Sequence, residues 1–335
     1  MELWGPVASA YRDFAAYADG DSPCFAAWAR AVAEDEQVGA WLLTLPEPRR
    51  QPNLIFAAAR WHGVEAPGPY SGLRDALLGD DGRLRATVLS RTTQTNEVGR
   101  IATLLPALAM AAGEEPVSLL EVGASAGLCL YPDRWDVRWL RGSTEVRTAG
   151  AGPWLTCDVI GDPPLPARSP RVAWRGGIDL NPLDVTDDDA MAWLTTLVWP
   201  EHDDRRALLA QAIEIARRDP AALVRGDLLT ELPGLVERAS AHGRVVVFHS
   251  AVIAYLDEVD RRRFHELMSG LVAAGACRWV SNEGKRVLPE VTATGPEVPE
   301  ERATFVLGLD GRALGWTHGH GRSLEWLPQP RDEAS

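Results

Sequence analysis

The chain has 335 residues, 46% of them hydrophobic and 24% charged, with a formal net charge of −13. That length holds one large domain or two smaller ones with real cores, and the acidic balance argues against a broad phosphate-binding surface, so no nucleic-acid partner is expected. No apolar run reaches the roughly 18 residues a membrane span needs, and Met1-Glu2-Leu3-Trp4-Gly5-Pro6 lacks a basic segment followed by an apolar one, so a cytoplasmic chain with no membrane contact is expected.

Residues 1 to about 100 read as helical. Ala8 to Tyr17 places Tyr11, Phe14 and Ala15 on one helical face. Ser22-Pro23 has the pattern of a helix start, a capping hydroxyl before a proline in the first turn, and Phe25, Trp28, Ala29 and Val32 follow at helical spacing. Pro46, Pro48 and Pro52 interrupt, Asn53 is read as the cap of a helix through Trp61, and Leu73 to Leu78 forms another short one. Arg91 to Arg100 is densely polar and leads into an apolar helix, Ile101 to Ala112. Gln94, Asn96, Glu97 and Arg100 exceed what a helix cap requires, so this polar start is a candidate lining for a cleft.

Val117-Ser118-Leu119-Leu120-Glu121-Val122-Gly123-Ala124-Ser125-Ala126-Gly127-Leu128 is the central stretch. It reads as a buried strand, a tight turn of small residues, and a helix of little more than two turns reaching about Arg134. Strand, small-residue turn and helix is the arrangement that brings backbone N–H groups up to a nucleotide. Residues 136–170 read as a β-rich insertion. Strands follow at Arg171 to Asp179, at Ala222 to Leu228 and, most clearly, in the β-branched run Arg244 to His249. Helices are expected over Asp187 to Val198, Asp203 to Arg218 and Asp257 to Ala274. Cys277 to Gly284 is a fifth strand, and Thr304 to Leu327 closes the chain with antiparallel strands around the hairpin signal Asp310-Gly311. The four cysteines are far apart, and His318-Gly319-His320-Gly321 reads as a turn. No metal site is expected.

The pattern Leu-Leu-Glu-x-Gly-x-x-x-Gly over residues 119–127 resembles motif I of the class I S-adenosylmethionine-dependent methyltransferases. The alternation of strands and helices over roughly residues 100–327 is similar to that family as well. The resemblance implies an α/β fold, a Rossmann-like sheet of parallel strands with a C-terminal antiparallel hairpin, preceded by an α-helical N-terminal region. Two domains are expected on that basis, 1–100 as a lid or substrate region and 101–335 as the sheet domain. It further implies S-adenosylmethionine as cofactor. Glu121, Gly123, Ser125 and Gly127 would hold its amino-acid part, Asp179 with Asn181 the ribose, and Asp227 the adenine edge. His249 would face the methyl group and the acceptor as the catalytic residue. Ser250, Tyr255, Asn282 and Glu283, with Gln94, Asn96, Glu97 and Arg100, would line the substrate. The acceptor is read as a small molecule or a protein. Two departures stand out. Ser125 replaces a glycine of the dinucleotide fingerprint, and Asp179 lies far beyond the usual spacing of about 20 residues, a spacing that Glu145 has, though with a poor strand before it.

The segments Gln94-Thr95-Asn96-Glu97, Gly177-Ile178-Asp179-Leu180-Asn181-Pro182 and Val247-Phe248-His249-Ser250-Ala251 also resemble a bacterial family known only as a domain of unknown function. The alternative to an enzyme is a non-catalytic binding or regulatory protein on the same fold. A hydrolase using Ser125 or Ser250 lacks a Gly-x-Ser-x-Gly setting.

Overall fold

The computed structural model describes residues 4–94 and 96–328; Thr95, within the polar segment, lies outside them. The chain forms two compact units, residues 1–95 with 188–210, and residues 96–187 with 211–335.

The first unit is helical. It holds α1 (Trp4–Ala18), α2 (Pro23–Glu34), α3 (Glu36–Leu43), α4 (Pro52–Trp61), α5 (Tyr70–Leu78) and α6 (Arg83–Ser90). Ser22 caps α2 as its sequence indicates, accepting the Phe25 N–H at 3.2 Å. Asn53 does not cap α4. Pro52 starts that helix and Asn53 accepts the Trp199 indole N–H at 2.9 Å. The core is aromatic: Tyr11, Phe25, Trp28 and Phe56 pack edge-to-face or stacked at centroid distances of 5.0–6.0 Å. The segment 188–210 joins this unit because Trp193 and Trp199 complete that core, and Arg60 donates to the carbonyls of Thr196 and Val198. Its helical pattern alone carries no sign of which core it serves.

The second unit is built on a sheet. In chain order come α7 (Arg100–Ala112), β1 (Val117–Val122), β2 (Asp136–Arg141), β3 (Thr144–Arg147), β4 (Trp154–Ile160) and β5 (Val172–Asp179). After α8 (Asp188–Thr196) of the first unit and α9 (Asp203–Arg218) follow β6 (Ala222–Arg225), α10 (Leu228–Ser240), β7 (Arg244–Ser250) and α11 (Glu258–Ala273). β8 (Arg278–Gly284), α12 (Pro289–Thr292), β9 (Phe305–Leu309), β10 (Arg312–Thr317) and β11 (Ser323–Trp326) complete it. Among the described residues the strands make one eleven-stranded sheet in the order β3-β2-β4-β11-β10-β9-β8-β7-β1-β5-β6. β6, β5, β1, β7 and β8 are all parallel. The order reverses between β1 and β7, the position where open α/β sheets bind ligands beyond their strand ends.

The sheet is covered on both faces. α10 and α11 pack on one, with Leu120, Val122, Ile178, Val245, Val247 and Trp279 in the shared core. α7 packs on the other against β2, β4, β7, β8 and β9. It is buried on nearly every side, and its Ala102 carbonyl accepts the Trp139 indole N–H at 2.9 Å. The mixed α/β class with a large, mostly parallel sheet agrees with the sequence reading. The sheet is much wider than expected, because the insertion is not a separate hairpin: β4 pairs with β11 and carries β2 and β3 with it.

One correction bears on function. No α-helix follows the small-residue turn. Residues 128–134 form two 3-10 turns, Leu128–Leu130 and Pro132–Arg134, and run straight into β2. Pro132 cannot continue a helical hydrogen-bond ladder. The helix N-terminus that the strand–turn–helix reading requires is therefore missing behind β1.

Candidate functional site

The site is built where β1 and β7 diverge. Side chains on adjacent strand positions point to opposite faces. Glu121 pairs in register with Phe248, and Val122 with His249. Val122 belongs to the core under α10 and α11, so Glu121 points to the α7 face and His249 to the α11 face. The sequence had assigned both to one site, and the parity of the strands separates them.

On the α7 face Glu121 is 7% exposed and its Oε2 has no protein partner. Burial pushes its carboxyl well above the usual range, Arg100 opposes that, and the Asp179 charge adds to it. Arg100 rises from the first turn of α7, donating to the carbonyls of Gly319 at 2.7 Å and Ser250 at 3.0 Å. Beside it, Glu97 stands 3.0 Å from the His320 ring. Asn96 accepts the Leu128 N–H at 3.1 Å, which fastens the polar segment to the β1 turn, while its Nδ2 has no partner. Ser125 is 5% exposed and its Oγ is also unpartnered. Ser250 accepts from Asn282 at 3.0 Å, and Asn282 in turn accepts from Thr317 at 2.7 Å. Buried polar groups normally find partners, and several orphans around one turn are out of the ordinary.

The turns themselves are strained. Ser125 (φ 50°) and Ala251 (φ 60°), in the turns after β1 and β7, sit in the left-handed region without being glycine. Such outliers concentrate at functional sites. Asp179, at the end of β5, accepts the Ser125 N–H at 2.8 Å on one oxygen and the Asn181 N–H at 2.7 Å on the other. It shapes the turn and, half-buried, keeps a lone pair on each oxygen. Gly127 (φ +69°) packs against Leu130 and Leu223.

Other expected residues are placed differently. His249 is fully buried; its Nε2 accepts the Trp279 indole N–H at 3.0 Å and its Nδ1 lies 2.7 Å from Glu283 Oε1. An indole N–H only donates, so the Nδ1 atom carries the proton and donates to Glu283. Both ring nitrogens of His249 are engaged by protein partners, Trp279 and Glu283. Glu283 also accepts the N–H groups of Val252 and Ile253, fixing the turn after β7 on the α11 side. Asp227 caps α10 through the Leu229 N–H at 2.7 Å and is exposed. Asn181 is exposed and accepts from Arg225 at 2.9 Å. Tyr255, expected to line the substrate, is 83% exposed on the turn after β7. Glu145 sits on the edge strand β3, 3.8 Å from Arg138 Nε, at the other end of the strand order from β5. Gln94 belongs to the helical unit.

Two contributors escaped the sequence reading. Val252 packs onto Gly123 so closely that a methyl group built on the glycine would lie 2.1 Å from its Cγ2. The loop 318–321 supplies the Gly319 carbonyl to Arg100 and His320 to Glu97. Nothing near either residue in the sequence announces these contacts. Among the described residues no group of three or more His, Cys, Asp or Glu side chains is placed to hold a metal ion, and no helix is long and apolar enough to cross a membrane.

Glu121 gives a testable pH dependence. A carboxyl whose folded-state pKa is raised contributes stability that is full below its unfolded value and is lost as pH rises toward the folded one. Glu121→Gln removes this loss. The variant is expected to be more stable than the parent by about 1–3 kcal/mol at pH 8, with the gap closing near pH 4–5, around the unfolded glutamate pKa of about 4.3. Urea unfolding at both pH values measures it. Equal destabilisation at both would mean that the carboxylate is held by a protein partner.

Among curated proteins and among solved structures, nothing matches the chain. Residues 8–326 match the model of a family described as "Uncharacterized protein conserved in bacteria (DUF2332)". With nearly its whole length covered, the chain belongs to that bacterial family, DUF2332.

Proposed function

We propose that the α7 face of the β1–β7 reversal binds S-adenosylmethionine and that the chain transfers its methyl group to a small-molecule or protein acceptor. The observation that carries this reading is the set of orphaned groups around one turn. Glu121 offers an unpartnered carboxylate oxygen, and Asn96 Nδ2 and Ser125 Oγ offer donors. One anionic acceptor beside two neutral donors complements an α-amino acid end, the ammonium against Glu121 and the carboxylate against the donors. Asp179 would supply acceptors for a ribose diol. The sulfonium is already activated, so the protein's task is alignment, with a base only where the acceptor carries a proton. No residue takes the base role in this reading, since both nitrogens of His249 are engaged.

A cationic ammonium beside Glu121 would hold the carboxyl ionised. Binding would then release a proton, and affinity would rise with pH above the ordinary carboxylate range. Calorimetric titration with S-adenosylmethionine tests this. Saturable binding is expected, weakened about tenfold or more by Glu121→Gln and by Asn96→Ala, and tighter at pH 8 than at pH 6. Absence of binding by the parent chain at high protein concentration sinks the cofactor.

A second reading, a non-catalytic protein on this fold, is favoured by Val252. Its isopropyl group occupies the face of Gly123 that a ligand passing under the turn would need. Binding seen only in Val252→Ala would select this occluded form.

A further inference from the structure

A cavity of about 730 Å³ opens in the sheet unit between the segments that lead into β2, β4, β5 and β6. It shares no lining residue with the turn after β1 and does not depend on the reading given above. Its walls come from Asp133–Asp136, from the loop 149–153, from Arg168 and Ser169, and from the end of α9 with Asp219. That volume falls within the range of small-molecule pockets.

We infer that this cavity binds a small, multiply charged oxyanion of the phosphate-ester or polycarboxylate class. The chain carries a net charge of −13, yet three arginines, Arg134, Arg168 and Arg218, converge here. Arg168 and Arg218 have no ion pair among the described residues.

The acids in the same wall are already engaged. Asp133 holds both ends of the Arg175 guanidinium at 2.9 and 3.1 Å. Asp219 lies 3.4 Å from Arg175 Nε. Asp136, 3% exposed, accepts the Thr148 hydroxyl at 3.1 Å and the Gly152 N–H at 2.9 Å. Arg175 is itself buried over the Tyr131 ring at 4.6 Å, so its charge is fixed behind the acids. Arg134 lies 3.5 Å from Asp133, so the positive charge left to meet a ligand is that of Arg168 and Arg218.

The loop adds donors. Its glycines are required by close packing: a Cβ on Gly150 would lie 2.1 Å from Asp136 Oδ1, and one on Gly152 would lie 2.3 Å from the Arg134 carbonyl. The backbone N–H groups of Gly150 and Ala151 have no acceptor among the described residues. Trp135, 2% exposed in the same wall, has an Nε1–H that donates to nothing. Guanidinium forks with free N–H groups and engaged neighbouring acids suit a dianion with several acceptor oxygens.

Titration of the full chain with pyrophosphate and, separately, with citrate tests the assignment and distinguishes the two ligand classes. At least one is expected to bind saturably, with affinity falling as salt rises. The double variant Arg168→Gln/Arg218→Gln is expected to lose about tenfold or more in affinity. Both side chains are exposed, so its unfolding midpoint should stay near that of the parent, which separates lost binding from lost fold. The inference is overturned if neither anion saturates, or if the double variant binds the preferred anion as tightly as the parent. S-adenosylmethionine binding by the double variant should be unaltered, so failure here and failure at the β1 turn are told apart.

Discussion

Gly123→Ala is expected to lower the unfolding free energy by about 2–5 kcal/mol, the sum of a left-handed backbone penalty and overpacking. Gly123 has φ +69°, which an L side chain rarely adopts, and the added methyl would meet Val252 Cγ2 at 2.1 Å and Cβ at 2.6 Å. Neither problem relaxes easily. Val252 is tied through its N–H to buried Glu283 at 3.0 Å, so the turn after β7 cannot simply step back. Urea unfolding measures the loss, and the double variant Gly123→Ala/Val252→Ala separates its causes. Removing the isopropyl group should recover the overpacking part and leave the backbone part, a coupling expected for residues in direct contact. A single-variant loss below about 1 kcal/mol would mean that the turn moves freely, contrary to a contact this close.

Glu283→Ala should be of similar severity, about 3–5 kcal/mol. One carboxylate oxygen accepts from the His249 ring at 2.7 Å, the Val252 N–H at 3.0 Å and the Ile253 N–H at 3.2 Å. Truncation leaves these donors without an acceptor in a region where His249 is fully buried. A donor left unsatisfied and out of water costs more than the hydrogen bond contributes when made. Glu283→Gln keeps an acceptor oxygen in place and replaces Oε2, which has no protein partner, so it should be clearly milder. Thermal unfolding of the pair orders them, and equal losses would show that the charge, not the hydrogen-bond geometry, is what the site needs.

Much of the fold was legible because its signals are local. Buried β-branched runs such as Arg244 to Ser250 can be little else than strands in an α/β protein. Ser22-Pro23 and Asp310-Gly311 carry backbone preferences within two residues, and a capped helix and a β9–β10 hairpin stand where they fall. The helix expected after Gly127 failed for a local reason that the reading passed over, Pro132 five residues on. The width of the sheet was not legible. Whether β4 pairs with β11 is settled between segments about 165 residues apart, and nothing in either states the partner.

The candidate site divides along the same line. The sequence by itself determined that Glu121 and Asp179 would lie at strand ends and Ser125 in the turn after β1, because each acid closes a strand pattern and the small residues follow. It also marked Gln94, Asn96, Glu97 and Arg100 as more polar than a cap requires, and Asn96 and Arg100 do reach the turns after β1 and β7. Only the tertiary structure decided which of these strand-end residues share a face. β1 and β7 are buried on both sides, so their sequences show no alternation of apolar and polar residues from which inward and outward positions are read. The register Glu121 to Phe248 and Val122 to His249 sends the acid toward α7 and the histidine toward α11. A shift of one residue would have reversed that choice. Register is fixed by packing against helices far away in the chain, so only the fold could show that Glu121 and His249 lie on opposite faces and that both His249 nitrogens are engaged by Trp279 and Glu283.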